Sequence, residues 1–394
     1  MDGEPSKKRT RSDAVEDDHA PRPATGSDKV KAATRDSDYW FEDGSLILVS
    51  QGVAFRIYKG LLAEHSTVFR SMFHVAQGKP ETDDLVDGCS VVTLYDSPTD
   101  LRELFQLIYP LSTNFKFGNG IVNMGRTSLA NHLAPSGMMR RSNWRSSRVW
   151  QKVDIAFISA IIRLDHKYEL KGMYEQAMSY LTTYYTTSFD AWVEGRNATQ
   201  WQPDPIHAIG AINLARLTNT TSVLPAAFYA CATLGPDLAR GFVREDGSVE
   251  RLAPDDMHLC LEMKARLAAE NAHTAFLLFR PVAQHCSNSS GHMYCAEVWR
   301  KILEHAGLSK APHPVASERA LDSWLENADC LPAPALPGPG VTFSMYMSSY
   351  TPPGQRTLCK GCRSHLQVRD RELRRQIWRR LPEFVGLTVE NWDA

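Results

Sequence analysis

The sequence predicts an α+β fold, with a small strand-and-helix region first and a mainly α-helical region after it. Two observations carry this expectation. In "VAFRIYKGLLAEHSTVFRSMF", Val53, Phe55 and Ile57 alternate with Ala54, Arg56 and Tyr58, as in a half-buried strand. After Lys59-Gly60 the period lengthens, and Leu61, His65, Val68 and Met72 recur at helical spacing, widened by Leu62, Phe69 and Phe73. From Asp154 onward helical periodicity dominates the rest of the chain.

With 394 residues there is room for two or three domains of ordinary size. The hydrophobic fraction of 43% and charged fraction of 23% are those of a globular chain. A formal net charge of -1 excludes a chain that is basic overall, so nucleic-acid binding would need a local patch. No window approaches the roughly 20 apolar residues of a membrane span, and the N-terminus is charged from Asp2 onward, without the apolar run of a secretory signal. The expectation is a nuclear or cytoplasmic protein, not a secreted one. Its eight cysteines are then thiols or metal ligands, and the sequons at Asn197, Asn219 and Asn288 carry little weight.

Residues 1–35 are polar and expected to form a disordered tail. Their basic cluster "KKRTR", Lys7 to Arg11, reads equally as a nuclear import signal or as a solubilising feature. "SLILVS" (Ser45 to Ser50) is a candidate strand, joined by the short Gln51-Gly52 turn to the strand from Val53, which makes a hairpin. One helix follows over Leu61 to Phe73, then a polar loop and a third strand, "SVVTLYD" (Ser90 to Asp96). "SPTD" at Ser97 to Asp100 is a helix start, with Ser97 as cap and Pro98 at the first helical position. The helix it opens holds Leu101, Leu104, Phe105 and Ile108.

"FEDGSLILVSQGVAFRIYKGLLAEHSTVFRSMF", "VTLYDSPTDLRELFQLIYP" and "RLDHKYEL" together resemble a BTB/POZ domain, and more narrowly the large group of BTB proteins of mushroom-forming fungi. The resemblance covers residues 38–110 and 154–187 and implies a BTB/POZ-like domain over 36–187, a small mixed sheet flanked by helices. It implies a module that pairs with itself or other BTB chains, or that serves as an adaptor for a cullin-based ubiquitin ligase. Asp43, Phe55, Tyr58, Lys59, Leu61, Phe69 and Phe73 are the residues assigned to that interaction. Tyr58-Lys59 stands where many members have His-Lys.

Residues 111–153 break the pattern. They contain no Asp or Glu but carry Lys116, Arg126, Arg140, Arg141, Arg145, Arg148 and Lys152. Three readings stand: a basic insertion that touches nucleic acid or an acidic partner, a plain disordered loop, or translated intron sequence. A transcript that retains these codons would sink the last.

In the helical region, Ile158, Ile161, Ile162 and Leu164 form one stripe, and Met173, Ala177, Tyr180, Leu181 and Tyr184 another, with Gly172 between them as in a helical hairpin. Pro203 and Pro254 open further helices, and "LPAPALPGPG" (Leu331 to Gly340) is a linker. Residues 188–394 are expected to be an α-helical region with a Cys₄ site. Cys359-Lys-Gly-Cys362 presents two thiolates to one ion, and Cys286 with Cys295 is the pair that would complete a tetrahedral zinc site. Unligated thiols are the competing reading, with His285, His292 and His365 as substitute ligands. The fungal group shows a similar late cysteine pair before an Arg-rich helix and a "W..LP..F" ending, here "IWRRLPEFVGL" from Ile377 to Leu387.

That helix places Arg369, Arg371, Arg374, Arg375, Arg379 and Arg380 on an outer face, the basis of the alternative function, a zinc-dependent nucleic-acid-binding regulator. Nucleic acid is the lesser expectation, because Asp370 and Glu372 dilute the charge. There is no phosphate loop, dinucleotide fingerprint, His-Glu-x-x-His or nucleophile elbow. The expected protein is therefore not an enzyme and has no membrane partner. It is a non-catalytic protein–protein interaction module.

Overall fold

A computed structural model describes residues 25–75, 85–109, 114–117, 120–123, 155–170, 172–198, 203–280, 286–287, 292–308, 310–329 and 358–394. The fold is mixed α+β and divides into two compact units, Met1–Pro98 and Thr99–Ala394. The sequence reading carries its first domain on to 187, whereas the structure places the helices after Pro98 in the second unit.

The first unit holds α1 (Gly26–Ala32), β1 (Thr34–Trp40), β2 (Leu46–Ser50), β3 (Val53–Ile57), α2 (Lys59–His65), α3 (Thr67–Val75), β4 (Leu85–Val86) and β5 (Cys89–Leu94). Its five strands form one mixed sheet in the order β1-β3-β2-β5-β4. The expected hairpin is present: β2 and β3 pair antiparallel from Leu46↔Ile57 to Ser50↔Val53. Gln51 and Gly52 turn it with φ of 44° and 81°, the two positive values that such two-residue hairpin turns require. β5 pairs parallel to β2, and β1 parallel to β3.

Burial goes further than the alternation predicts. Every residue of β2 is buried, and so is Ala54 on the face of β3 that was expected to meet solvent. Val30 of α1 explains it, because it packs with Ile47, Val49, Ala54 and Cys89 on that face. The alternate residues Leu46, Leu48, Phe55 and Ile57 point the other way and are fully buried too. Residues 25–35, read from sequence as tail, therefore form α1 and the start of β1. A capping box sets the helix, with Thr25 accepting from the Asp28 amide and Asp28 accepting in return. Residues 1–24 lie outside the described residues.

The single helix expected over Leu61 to Phe73 is two. Ser66 has extended backbone between α2 and α3, and its hydroxyl accepts from the Phe69 amide at 3.0 Å, an N-cap that restarts the chain at a new angle.

The second unit holds α4 (Pro98–Ile108), β6 (Asn114–Phe117), β7 (Gly120–Asn123), α5 (Ile155–Tyr168), α6 (Tyr174–Tyr184), α7 (Phe189–Ala198), α8 (Ala208–Leu217), α9 (Leu224–Ala232), α10 (Asp237–Arg240), β8 (Phe242–Val243), β9 (Val249–Glu250), α11 (Pro254–Leu278), α12 (His292–Ala306), α13 (Leu325–Asp329) and α14 (Lys360–Phe384). α5 and α6 form the expected helical hairpin, with Gly172 at φ 79° in the turn. Of residues 111–153 only the β6–β7 hairpin is described; the readings made of the rest, and of the Pro-rich stretch at 331–340, fall outside the described residues.

The main core centres on α9, all of whose residues are buried. Its small Ala226, Ala227, Ala230 and Ala232 let α8, α11 and α14 approach closely. A second core gathers the end of α11 (Ala275, Leu278), α12 (Val298, Trp299, Ile302), Trp324 and the start of α14 (Cys362, Leu366). α14 serves both cores, since Ile377, Trp378 and Leu381 belong to the first. No described helix is long and apolar enough to cross a membrane.

Candidate metal centre

The four predicted cysteines meet. The sulfurs of Cys286, Cys295, Cys359 and Cys362 all lie within 4.8 Å of one another, at the edge of the second core. Local chemistry places them. Cys359 is the N-cap of α14, its Sγ accepting from the Cys362 amide at 3.5 Å. Cys295 sits in the first turns of α12, and Cys286 lies just before that helix. Two helix N-termini thus converge on the thiols, and their partial positive charge favours thiolates.

Cys286 Sγ and Cys359 Sγ are 3.9 Å apart. A disulfide needs about 2.05 Å, so the cysteines are free thiols. Zinc–sulfur bonds of about 2.3 Å in a tetrahedron put sulfurs about 3.8 Å apart. The observed cluster is a little wider and closes on an ion with sub-ångström movements. The ligand set can hold a metal ion, and four thiolates suit zinc or iron–sulfur chemistry over hard cations.

A residue that sequence reasoning missed organises the site. The Ser287 amide donates to Cys359 Sγ at 3.3 Å, and its hydroxyl accepts from the Gly361 amide at 3.2 Å. Its only signal was adjacency to Cys286. Burial opposes ionisation of Cys359, but hydrogen bonds from Ser287 and Cys362 outweigh it and bring the thiol down to about 5. Burial raises the Cys295 thiol and holds Cys362 well above the ordinary thiol range, Cys362 further raised by its hydrogen bond with Cys359. One thiolate is ready at neutral pH, and a bound cation would displace the remaining protons. Of the substitute ligands, His365 stacks on Trp299 with ring centroids 6.4 Å apart and takes no place in the cluster. The side chains of His285 and His292 lie outside the described residues.

The residues assigned to partner binding divide. Phe55, Phe69 and Phe73 are core residues with at most 5% exposure and cannot form a contact surface. Asp43 is exposed and accepts from the Tyr58 hydroxyl at 2.7 Å, while Tyr58 stacks on Phe41. Lys59 sits over the Phe73 ring, and Leu61 is 44% exposed. The surface among the expected set is therefore Asp43, Tyr58, Lys59 and Leu61.

Of the arginines expected on the outer face of α14, Arg371, Arg379 and Arg380 are exposed, Arg369 and Arg375 are half-buried, and Arg374 is not on that face. Arg374 is buried against Asp370 at 2.7 Å, and that carboxylate also accepts from Ser323 Oγ and the Trp324 amide, each at 3.1 Å. Arg371 and Arg375 both pair with Asp190 of α7, Arg379 with Asp393, and Arg380 with Glu270 of α11. These ion pairs tie α14 to its own unit.

No known protein-family model matches the chain. No curated protein matches it either.

Proposed function

We propose that this protein is a non-catalytic interaction module of the nucleus or cytoplasm, with a BTB/POZ-like N-terminal unit and a helical unit closed by a structural zinc ion. The observation that carries the proposal is the cysteine cluster. Its four thiols lie within 4.8 Å of one another and would together supply all four ligands of a tetrahedral ion, with no open position for a substrate or water, which is the pattern of a structural site. Reduced thiols of this kind belong in a reducing compartment.

The partner-binding role rests on the sequence resemblance and on the exposed Asp43 and Leu61 with the half-buried Tyr58 and Lys59 beside them. Pairing with a second copy, another BTB chain or a cullin would act through complementary surface burial, above about 1,000 Å² for a stable specific complex. The test is a pull-down with the full chain read by mass spectrometry, alongside light scattering, repeated with Leu61→Asp. A cullin or BTB chain captured by the wild type and lost with L61D supports the reading. A monomer that captures neither overturns it.

A further inference from the structure

Within the helical unit, α11 turns Met263, Leu267 and Leu278 into the two cores. Such a helix ordinarily shows polar residues on its opposite face. Here that face carries an apolar stripe. Leu261 is 55% and Phe276 69% exposed, and Ala265 and Ala269 between them are exposed as well. Ala268 and Ala272 are half-buried at the edge of the same stripe. With about 100° of rotation and 1.5 Å of rise per residue, the six share one face about 22 Å long. Exposed apolar residues scattered singly need no explanation, but a contiguous run does.

The stripe is symmetric about its middle. Leu261 and Phe276 stand equally far from the point between Ala268 and Ala269, and so do Ala265 and Ala272. Large residues occupy both ends and small ones the centre. Charge beside the stripe changes sign along it. Asp255 and Glu262 are exposed on the N-terminal half, His273 and Arg280 on the C-terminal half. Asp255 mirrors Arg280, and Glu262 mirrors His273, to within one residue of the same midpoint. Glu262 also lies 3.6 Å from His258 on its own helix. Arg266 donates to the Phe384 carbonyl at 3.4 Å, and Lys264 pairs with Glu318 at 3.4 Å, so neither enters the pattern. The dipole of α11 itself favours acid first and base last, but that effect fades within the terminal turns. Glu262 and His273 lie further in.

We propose that this face of α11 docks the same face of a second copy of the chain, the two helices running antiparallel about a twofold axis between Ala268 and Ala269. A twofold contact needs a surface that complements itself, and the mirrored spacing supplies one. Each Leu261 meets Phe276 of the other copy, and the central alanines let the helix axes approach to about 8 Å. The acidic half of each helix lies along the basic half of the other. A parallel pair would set acid on acid and base on base. The inference rests on neither the zinc nor the BTB reading.

The test is sedimentation velocity on the full chain carrying Leu61→Asp, which keeps pairing through the N-terminal unit out of the measurement. The expected result is a concentration-dependent dimer that Phe276→Glu weakens at least tenfold. Leu61 and Phe276 are both exposed, so neither change disturbs a core. Glu262→Lys should weaken the dimer too, and adding His273→Glu should restore it, because that swap rebuilds the acid–base contact only between antiparallel helices. A monomer at every concentration reached, a dimer indifferent to Phe276→Glu, or a swap that fails to restore association overturns the proposal.

Discussion

Removal of the proposed zinc ion should loosen one of the two helical cores and leave the other intact. Cys286 and Cys359 are 73 residues apart, so a shared ion closes a long loop. The relation for covalent cross-links of that length gives about 4 kcal/mol, an upper bound for a coordinate link. The residues that depend on it are Val298, Trp299 and Ile302 of α12 and Leu366 of α14, which pack beside the cysteines. Ile377, Trp378 and Leu381, further along α14, are held by the α9 core and have no need of the ion. Hydrogen exchange read by mass spectrometry distinguishes the two ends of one helix. In chelator-treated protein, amides of α12 and the first two turns of α14 should exchange up to about a thousandfold faster, the factor that 4 kcal/mol implies. Amides after Ile377 should hold their protection. Cys362→Ala should reproduce the pattern without chelator. Purified protein with no bound zinc, or exchange that rises equally along all of α14, would refute the reasoning.

Three further outcomes follow from side chains already described. Asp370→Asn leaves the Arg374 guanidinium buried without its counter-charge and should cost about 3–5 kcal/mol in urea unfolding; a loss under about 1 kcal/mol would show that the pair is not ionic. Burial brings the His313 imidazole down to about 4, while an unfolded histidine titrates near about 6.5. Between those values the unfolded chain holds more protons, so the stability from this residue is full above about pH 6.5 and is lost as pH falls toward about 4, by about 3 kcal/mol in all. His313→Gln should flatten that part of the wild-type curve, and parallel curves would contradict it. Gly241→Ala should destabilise by more than about 1 kcal/mol, because Gly241 has φ 73° and a Cβ there would run into the Glu250 carbonyl. A neutral result by chemical denaturation would count against the β8–β9 geometry.

The strands were legible where one period ran unbroken. Leu46–Ser50, Val53–Ile57 and Cys89–Leu94 needed only alternation or a continuous apolar run, and Gly52 marked the turn. α1 was not, because one buried valine among charged residues carries no periodic signal, although Thr25 and Asp28 spelled a capping box. β4 was missed as well, despite Asp87-Gly88, whose φ values of 50° and 75° make the tight turn into β5. Helical spacing passed over the break at Ser66, since period alone does not report a capping hydroxyl. In the candidate site, the Cys-x-x-Cys spacing pointed to the first pair, and chemistry suggested the second. The arginine pairings were beyond reach: Arg371 and Asp190 are 181 residues apart, and no local rule joins them.

Cys362 and Asp370 fasten α14 at two points about two turns apart, one to the thiol cluster and one to the Ser323–Trp324 backbone. Each added residue rotates everything beyond it by about 100°. A single insertion or deletion between those points would therefore make the two fastenings incompatible, although neither side chain had changed. Related chains should tolerate varied residues along this short span but hold its length fixed. In this helix the count of residues is constrained more tightly than most of their identities.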